Sequence, residues 1–404
     1  MPHVRKRHLQ NLFDKLVKFS PIVGLFGHRQ TGKSTWISSL YRQYFTLDDE
    51  KTLNKVKEDP VGFISENKKN TCVIDECQFE PRLFPALKEH VRTNKRPGQF
   101  VLTGSVRFSS RRAIRESLAG RMASIEMYPL TVSELMGLPL PETISLLCEE
   151  REFSEKTLLK LGLFSTQSNL QKNIEKYLEC GGLPGLCFIR EERLQKELLF
   201  DLHNLILDRD LRLIVETKLS LETLRRFLQF IARNSFSPHN AAAAKRELGL
   251  AHQTQESLIF ALESIFLIRS VRIMDSPKRI FLLEDQLEEK ILSEGTLSLK
   301  TQWMSCLYRN IRSQFGYRLG TDVEFQSYAT RSGAEVPLVV SSNGQFLGFI
   351  VLNEESPTLS ESRSADSFLR RYSNSKVVFV RTKKGPSKWI DRRALIVSAV
   401  NLVC

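Results

Sequence analysis

Gly27 to Thr35, GHRQTGKST, set two glycines, a lysine and two terminal hydroxyls at fixed spacing. Gly27, His28, Arg29, Gln30, Thr31, Gly32, Lys33 and Ser34 meet GxxxxGK[ST] at every specified position, the pattern whose backbone amides cradle phosphates. In that chemistry Lys33 reaches the β- and γ-phosphate oxygens and the Ser34 hydroxyl ligates Mg2+. The amides that open the next helix, through Thr35, face the β-phosphate. The ligands expected here are ATP and Mg2+. The flanks agree, because the apolar run Ile22 to Phe26 reads as a buried strand and TWISSLYRQYF as a helix. A glycine-rich turn that holds a lysine by chance leaves the acids and hydroxyls downstream unexplained.

Thr71 to Glu76, TCVIDE, is an apolar strand ending in two acids. Asp75 suits the hydrated Mg2+ and Glu76 suits the attacking water. A third apolar run, Phe100 to Ser105, ends in a hydroxyl that could bond the γ-phosphate or the water, or could cap a helix. Arg121 follows a basic helix that stops at Gly120 and precedes a strand from Ala123 to Met127. Its guanidinium could meet the γ-phosphate of its own or a neighbouring subunit, or compensate the carboxyl end of the helix.

These residues need a parallel sheet to hold them, and the chain has room for more. At 404 residues it suggests two to four domains, since single cores seldom exceed about 300 residues. Seven cysteines without a CxxC pair argue against a disulfide framework or a zinc module, so a cytoplasmic location is expected. The basic N-terminus lacks a signal-peptide core and reads as an amphipathic helix with Leu9, Leu12, Phe13, Leu16 and Val17 on one face. No run reaches the roughly 18 apolar residues of a membrane span.

The net charge of +13 attracts polyanions. It concentrates in residues 1–20 and in Arg370, Arg371, Lys376, Arg381, Lys383, Lys384, Lys388, Arg392 and Arg393. Nucleic acid is a candidate partner through these two segments, with a protein partner, self-association and plain surface solubility as the competing accounts. Aromatics do not interleave with the charges as they would on a base-stacking platform.

GHRQTGKST, YFTLDDE, CVIDECQFEP, LTGS, SLAGR with MYPLTVSEL, GGLP and LILDRDL occur in that order. Together they resemble a prokaryotic family of AAA-type P-loop ATPases with a C-terminal domain of unknown function, across essentially the whole chain. The family loop reads GPRQxGKTT, so His28 stands for a proline and Ser34 for a threonine. The resemblance implies a five-stranded parallel sheet with the phosphate loop and acidic pair on adjacent strand ends. Ser105 matches its sensor position and Arg121 an arginine ahead of the last strand. Asp48, Asp49, Arg29 and Gln30 match positions that shape the site. Asp208-Arg209-Asp210 matches an RD signature for which the sequence offers no chemistry of its own.

The fold class expected is α/β: an AAA-type P-loop ATPase with a parallel sheet, helical lid, winged helix and mixed α/β C-terminal domain. The expected units are the ATPase core at 1–140, a lid at 141–220, a winged helix at 221–295 and a C-terminal domain at 296–404. In the lid, Gly181-Gly182-Leu183-Pro184 reads as a helix junction that could also approach the nucleotide by backbone. The third helix of the winged unit, HQTQESLIFALES, lacks a basic cluster, which favours packing over DNA reading.

By resemblance the C-terminal domain has a restriction-endonuclease-like fold. Pro337, Ile350 and Leu352 stand where the metal-binding carboxylates and a lysine would be, so nuclease activity is not expected. Three readings of function follow: an ATP hydrolase driving a switch or motor on a macromolecular partner, a nucleic-acid-associated ATPase, and an ATP-holding scaffold.

Overall fold

The computed structural model describes residues 5–107, 118, 120–160, 168–320, 322–383 and 385–404. The basic helix expected before Gly120 lies largely outside these residues, as does Lys384. No helix among them is long and apolar enough to cross a membrane.

Among the described residues, five strands form a sheet in the order β2-β3-β4-β1-β5. They are β1 (Ile22–Phe26), β2 (Tyr44–Thr46), β3 (Cys72–Asp75), β4 (Phe100–Gly104) and β5 (Met122–Glu126), and every pairing is parallel. Alternation along β1 sends Ile22 and Phe26 to one face and Val23 and Leu25 to the other. Helix α1 (Gln10–Phe19) covers the second face with Leu12 and Phe13, and α2 (Lys33–Leu40) adds Ile37. On the first face lie α3 (Glu50–Glu58), α4 (Pro60–Glu66) and α5 (Leu83–Thr93), contributing Val56, Phe63, Leu83, Leu87 and Val91.

The loop and the acidic pair are not on adjacent strands, because β4 lies between β1 and β3. Burial explains the order. Every residue of β4 is buried, while β2 and β5 at the edges are partly open, and a strand apolar on both faces belongs in the interior of a parallel sheet.

After β5 come α6 (Val132–Leu135), α7 (Thr143–Glu149), α8 (Glu155–Lys160), α9 (Ser168–Cys180) and α10 (Glu192–Leu205). A π-helical turn, Ile206–Asp210, closes α10. Three helices follow, α11 (Leu221–Arg233), α12 (Ala241–Leu248) and α13 (His252–Ser264), then an antiparallel hairpin of β6 (Ile268–Ile273) and β7 (Arg279–Leu283). Leu202, Ile206 and Leu207 share one apolar core with Phe227, Ile231, Leu258 and Leu262, so α10 and the three-helix unit pack as one body.

Past α14 (Gln286–Leu292) and α15 (Leu299–Gly316) run β8 (Val323–Ala329), β9 (Glu335–Ser342), β10 (Gln345–Leu352), α16 (Leu359–Arg371), β11 (Ser375–Arg381), β12 (Lys388–Asp391), β13 (Ala394–Ser398) and α17 (Val400–Val403). Asn343 and Gly344, both left-handed, turn β9 into β10. The described strands pair in the order β12-β13-β11-β10-β9-β8-β6-β7, so the hairpin and the C-terminal strands form a single sheet. Ile144 and Leu147 of α7 and Ile174 and Tyr177 of α9 enter the core of this sheet with Trp303, Leu307 and Phe349. Pro337 is half-buried in β9, Ile350 and Leu352 are buried in β10, and Glu335 is exposed at the start of β9.

Between the two sheets lies α14, whose acids are buried rather than solvated. Buried carboxylates persist only when paired and hydrogen-bonded, and each one here is. Glu284, just before the helix, meets Arg269 and Arg312. Asp285 accepts from the Gly182 and Leu287 amides at 2.7 and 2.8 Å, and Glu289 meets Arg309 at 3.1 Å.

Part of the expected polyanion surface is also internal. Lys376 and Arg381 are buried, Arg393 donates to the Ser375, Leu369 and Tyr372 carbonyls, and at the N-terminus Arg7 is buried against Glu134 at 3.2 Å. Packing takes these cations away from solvent, with hydrogen bonds added at Lys376, Arg393 and Arg7, which a count of Lys and Arg cannot register.

Candidate active site: a phosphate loop beneath the lid

The loop leaves the carboxyl end of β1, where the chain must turn sharply into α2. Gly27 (φ 156°) passes so near β5 that a Cβ there would stand 2.2 Å from the Met127 carbonyl oxygen, so only glycine fits. Gln30 and Gly32 take left-handed φ values of 60° and 90°. Arg7 Nη1 donates to the Thr31 carbonyl at 2.7 Å, and Thr31 Oγ1 donates to the His28 carbonyl at 2.9 Å.

Lys33 Nζ donates to the Gly27 and His28 carbonyls at 3.0 and 2.9 Å. Burial lowers its pKa, against the pull of Glu76 and Asp75. Ser34 Oγ donates to Asp75 Oδ2 at 2.7 Å, and Thr35, the third residue of α2, is exposed. Tyr44 and Thr103 hydroxyls also donate to Asp75, one to each oxygen. Two hard oxygens side by side suit Mg2+, which keeps its remaining octahedral positions for water and phosphate oxygens. Ser34 and Asp75 could therefore hold the ion, and Lys33 with the loop amides the phosphates.

Glu76 follows in a left-handed conformation (φ 53°) that turns its side chain back over the strand ends. Its carboxylate accepts from Gln78 Nε2 and lies 3.5 Å from Ser105 Oγ. Burial pushes its pKa up, opposed by Lys33 and Arg29, as suits a group that takes a proton from water. Ser105 Oγ in turn donates to Asp210 Oδ2 at 3.2 Å.

Arg121 is the site residue that the fold places elsewhere. Met122 pairs with Ile22 and Glu126 with Phe26, so Arg121 precedes the amino end of β5 while the loop leaves the carboxyl end of β1. At about 3.3 Å per residue the strand separates them by roughly 16 Å. The same-chain γ-phosphate contact expected of Arg121 is excluded. In a parallel sheet a residue that precedes a strand cannot sit at the phosphate end, and that signal was present in the sequence.

The turn Ile206–Asp210 that closes α10 supplies what the sequence did not reveal. Arg29 grips Asp210 with two bonds, Nε to Oδ2 at 2.5 Å and Nη2 to Oδ1 at 2.9 Å. Arg209 pairs with Asp48 and lies over the Phe79 ring at 4.1 Å, while Asp49 caps α3 through the Thr52 amide at 2.9 Å. Pro184 Cγ would be 3.7 Å from a Cβ on Gly32, and Gln30 Oε1 only 2.7 Å from one on Gly185, so the Gly182–Pro184 junction does approach the loop. His28 is buried, with Nδ1 2.6 Å from the Arg29 carbonyl and Nε2 3.2 Å from Glu288 Oε1.

Residues 19–136 match the model of a family described as an AAA domain, and residues 171–290 that of a domain of unknown function (DUF8612). Uncharacterized proteins of Mycobacterium bovis and Mycobacterium tuberculosis are each 34% identical over 120 residues, 29% of this chain and 27% of theirs. The chain thus matches about a quarter of the length of those relatives.

Among solved structures, a Walker-type ATPase of Pyrococcus abyssi aligns over 72% of this chain and 96% of its own, with 13% identity and a TM-score of 0.44. A signal transduction ATPase with numerous domains and a tetratricopeptide repeat sensor, from Pyrococcus horikoshii, aligns over 77% of this chain and 45% of its own, with 13% identity and a TM-score of 0.26. The N-terminal part of the chain is an AAA-type P-loop ATPase domain.

Proposed function

We propose that the chain binds ATP with Mg2+ and hydrolyses it, using the cycle to change the contact between its lid and its phosphate loop against a macromolecular partner. The observation that carries this reading is the placement of Glu76, a buried carboxylate of raised pKa beside Gln78 and Ser105. Mg2+, held by Ser34 and Asp75, would supply charge neutralisation at the phosphates. Lys33 would leave its loop carbonyls for the β- and γ-oxygens. Glu76 would orient water and accept its proton, and Ser105 would bond the γ-phosphate or that water.

The role of the RD signature enters the reading through Asp210, since Arg29 and Ser105 both contact it. Nucleic acid remains the partner to test first, because exposed cations are left after Lys376, Arg381 and Arg393 are discounted. Phosphate release from ATP by the full chain, in Mg2+ and in EDTA and with or without DNA or RNA, is the direct test. Mg2+-dependent release is expected, and ATP binding without release would leave only the scaffold reading.

A further inference from the structure

We propose that Asp210 fills the γ-phosphate subsite as an internal anion, so that a nucleoside triphosphate displaces it and frees the lid while a diphosphate does not. The proposal deepens the ATPase reading and rests on it. A guanidinium fork binds a carboxylate and a phosphoryl group by the same pair of parallel bonds. Arg29, from the phosphate loop itself, has both bonds on Asp210, at 2.5 and 2.9 Å. The hydroxyl placed to sense the γ-phosphate, Ser105 Oγ, also donates to Asp210, at 3.2 Å. The groups that would read the terminal phosphate are thus reading a lid carboxylate instead.

The surroundings fit a subsite rather than an incidental ion pair. Asp210 is buried at 1% exposure, and its charge is felt at Lys33 alongside those of Glu76 and Asp75. Asp208, two residues earlier, shows the contrast: it is exposed and pairs with Arg212 at 3.0 Å along its own turn. The π-helical turn Ile206–Asp210 presents Arg209 and Asp210 to the ATPase domain while Ile206 and Leu207 stay in the lid core. Such turns recur at functional sites, where the wider spacing re-aims side chains. Arg209 reaches Asp48 and Phe79 from the same turn, so displacing Asp210 disturbs both charged contacts that this turn makes with the ATPase domain.

Discrimination follows from charge and reach. Loop amides hold the α- and β-phosphates and Lys33 spans β to γ, so ADP can occupy the loop with Asp210 in place. A γ-phosphate would add a third anion beside Glu76 and Asp210, and like charges at such spacing cannot coexist without a counter-charge. The guanidinium of Arg29 then transfers from carboxylate to phosphate.

The test is calorimetric titration of the full chain with Mg·ADP and with Mg·adenylyl imidodiphosphate, in wild type and Asp210→Asn. Asparagine keeps the shape and removes the competing charge. Affinity for the triphosphate analogue should rise about tenfold or more while ADP affinity stays within about twofold. Equal changes for both nucleotides, or weaker binding of the analogue alone, would overturn the proposal.

A second measurement needs no variant: in wild type, the analogue should speed amide hydrogen exchange across residues 206–213 and ADP should not. Identical exchange with the two nucleotides would also overturn it. A wild-type chain that binds neither nucleotide would remove the ATPase reading, and this proposal with it.

Discussion

His28 Nε2 stands 3.2 Å from Glu288 Oε1, and neither side chain is exposed. Glu288 Oε1 also lies 3.0 Å from His203 Nε2, so one carboxylate of α14 touches both the phosphate loop and the last turn of α10. The second nitrogen of His28 meets the Arg29 carbonyl, on the residue that carries the loop's own guanidinium. A change of charge at His28 is therefore felt at the loop backbone, at the lid and at the helix between the sheets.

This contact gives stability a pH dependence with a defined sign. Burial opposes the charge on His28, but Glu288 and the Arg29 carbonyl outweigh it and raise the pKa above 6.5. The contribution is complete below about 6.5 and is lost as pH rises through the folded-state value. Glu288 is shifted the other way, burial being outweighed by the two histidines, so its contribution is lost only as pH falls well into the acid range. Asp285, pushed up to about 6 by burial, has slope of the same sign as His28, but its window runs from the ordinary carboxylate range up to about 6 and closes where that of His28 opens. Denaturant unfolding from pH 6 to 9 should show a steeper loss in wild type than in His28→Gln, by up to about 1.4 kcal/mol per pH unit. Parallel profiles would show that folding leaves the His28 pKa unshifted.

Lys33→Ala should abolish detectable nucleotide binding while the chain stays folded. Its ammonium is the one charge that the loop pattern commits to the β- and γ-phosphates, and in this structure it donates to the Gly27 and His28 carbonyls. Calorimetric titration with Mg·ATP checks it, together with circular dichroism on the same sample. Wild-type affinity in the variant would end the phosphate-loop reading.

Glu76→Gln should keep ATP binding within a few-fold and cut turnover by about 10² or more, the range for loss of a general base. Glutamine can keep the bond to Ser105 but cannot take a proton. Steady-state phosphate release is the measurement. Turnover within a factor of two of wild type would assign the water to another group, with Asp210 the nearest carboxylate on the far side of Ser105.

How legible these residues were depended on where their partners lie. Lys33, Ser34, Asp75 and Glu76 could be read because loop and strand chemistry is local and tolerates few residue types. Ser105 could be placed at a strand end, though not beside Asp210, 105 residues away. The Arg29–Asp210 bond spans 181 residues, and nothing in LILDRDL announces a partner in the loop.

The acids of α14 are buried although carboxylates seldom are. Arg269 of β6 and Arg309 and Arg312 of α15, which make their burial tolerable, lie on elements other than α14. The hairpin β6–β7 ends a three-helix unit in sequence, yet the Arg272–Gln326 and Ile273–Ser327 pairings join it to the C-terminal strands.

Lys376 tests the same point for charge. In sequence it belongs to the basic stretch proposed to meet polyanions. In the fold its ammonium is buried, donates to the Leu147 carbonyl at 2.7 Å and to that of Glu150, and lies 4.9 Å from the Phe153 ring centre. Burial accordingly lowers its pKa. Those carbonyls end α7, so Lys376 ties β11 to the helix that packs on the second sheet. Lys376→Met keeps the aliphatic stem but strands two buried acceptors, and should cost about 1–3 kcal/mol. Chemical denaturation of the full chain reads that loss. The salt dependence of any duplex-DNA binding should be unchanged, since its slope counts only cations that reach phosphates. A slope shallower by about 0.9 on a log-log plot, with stability unaltered, would return Lys376 to the surface and reinstate it as a phosphate contact.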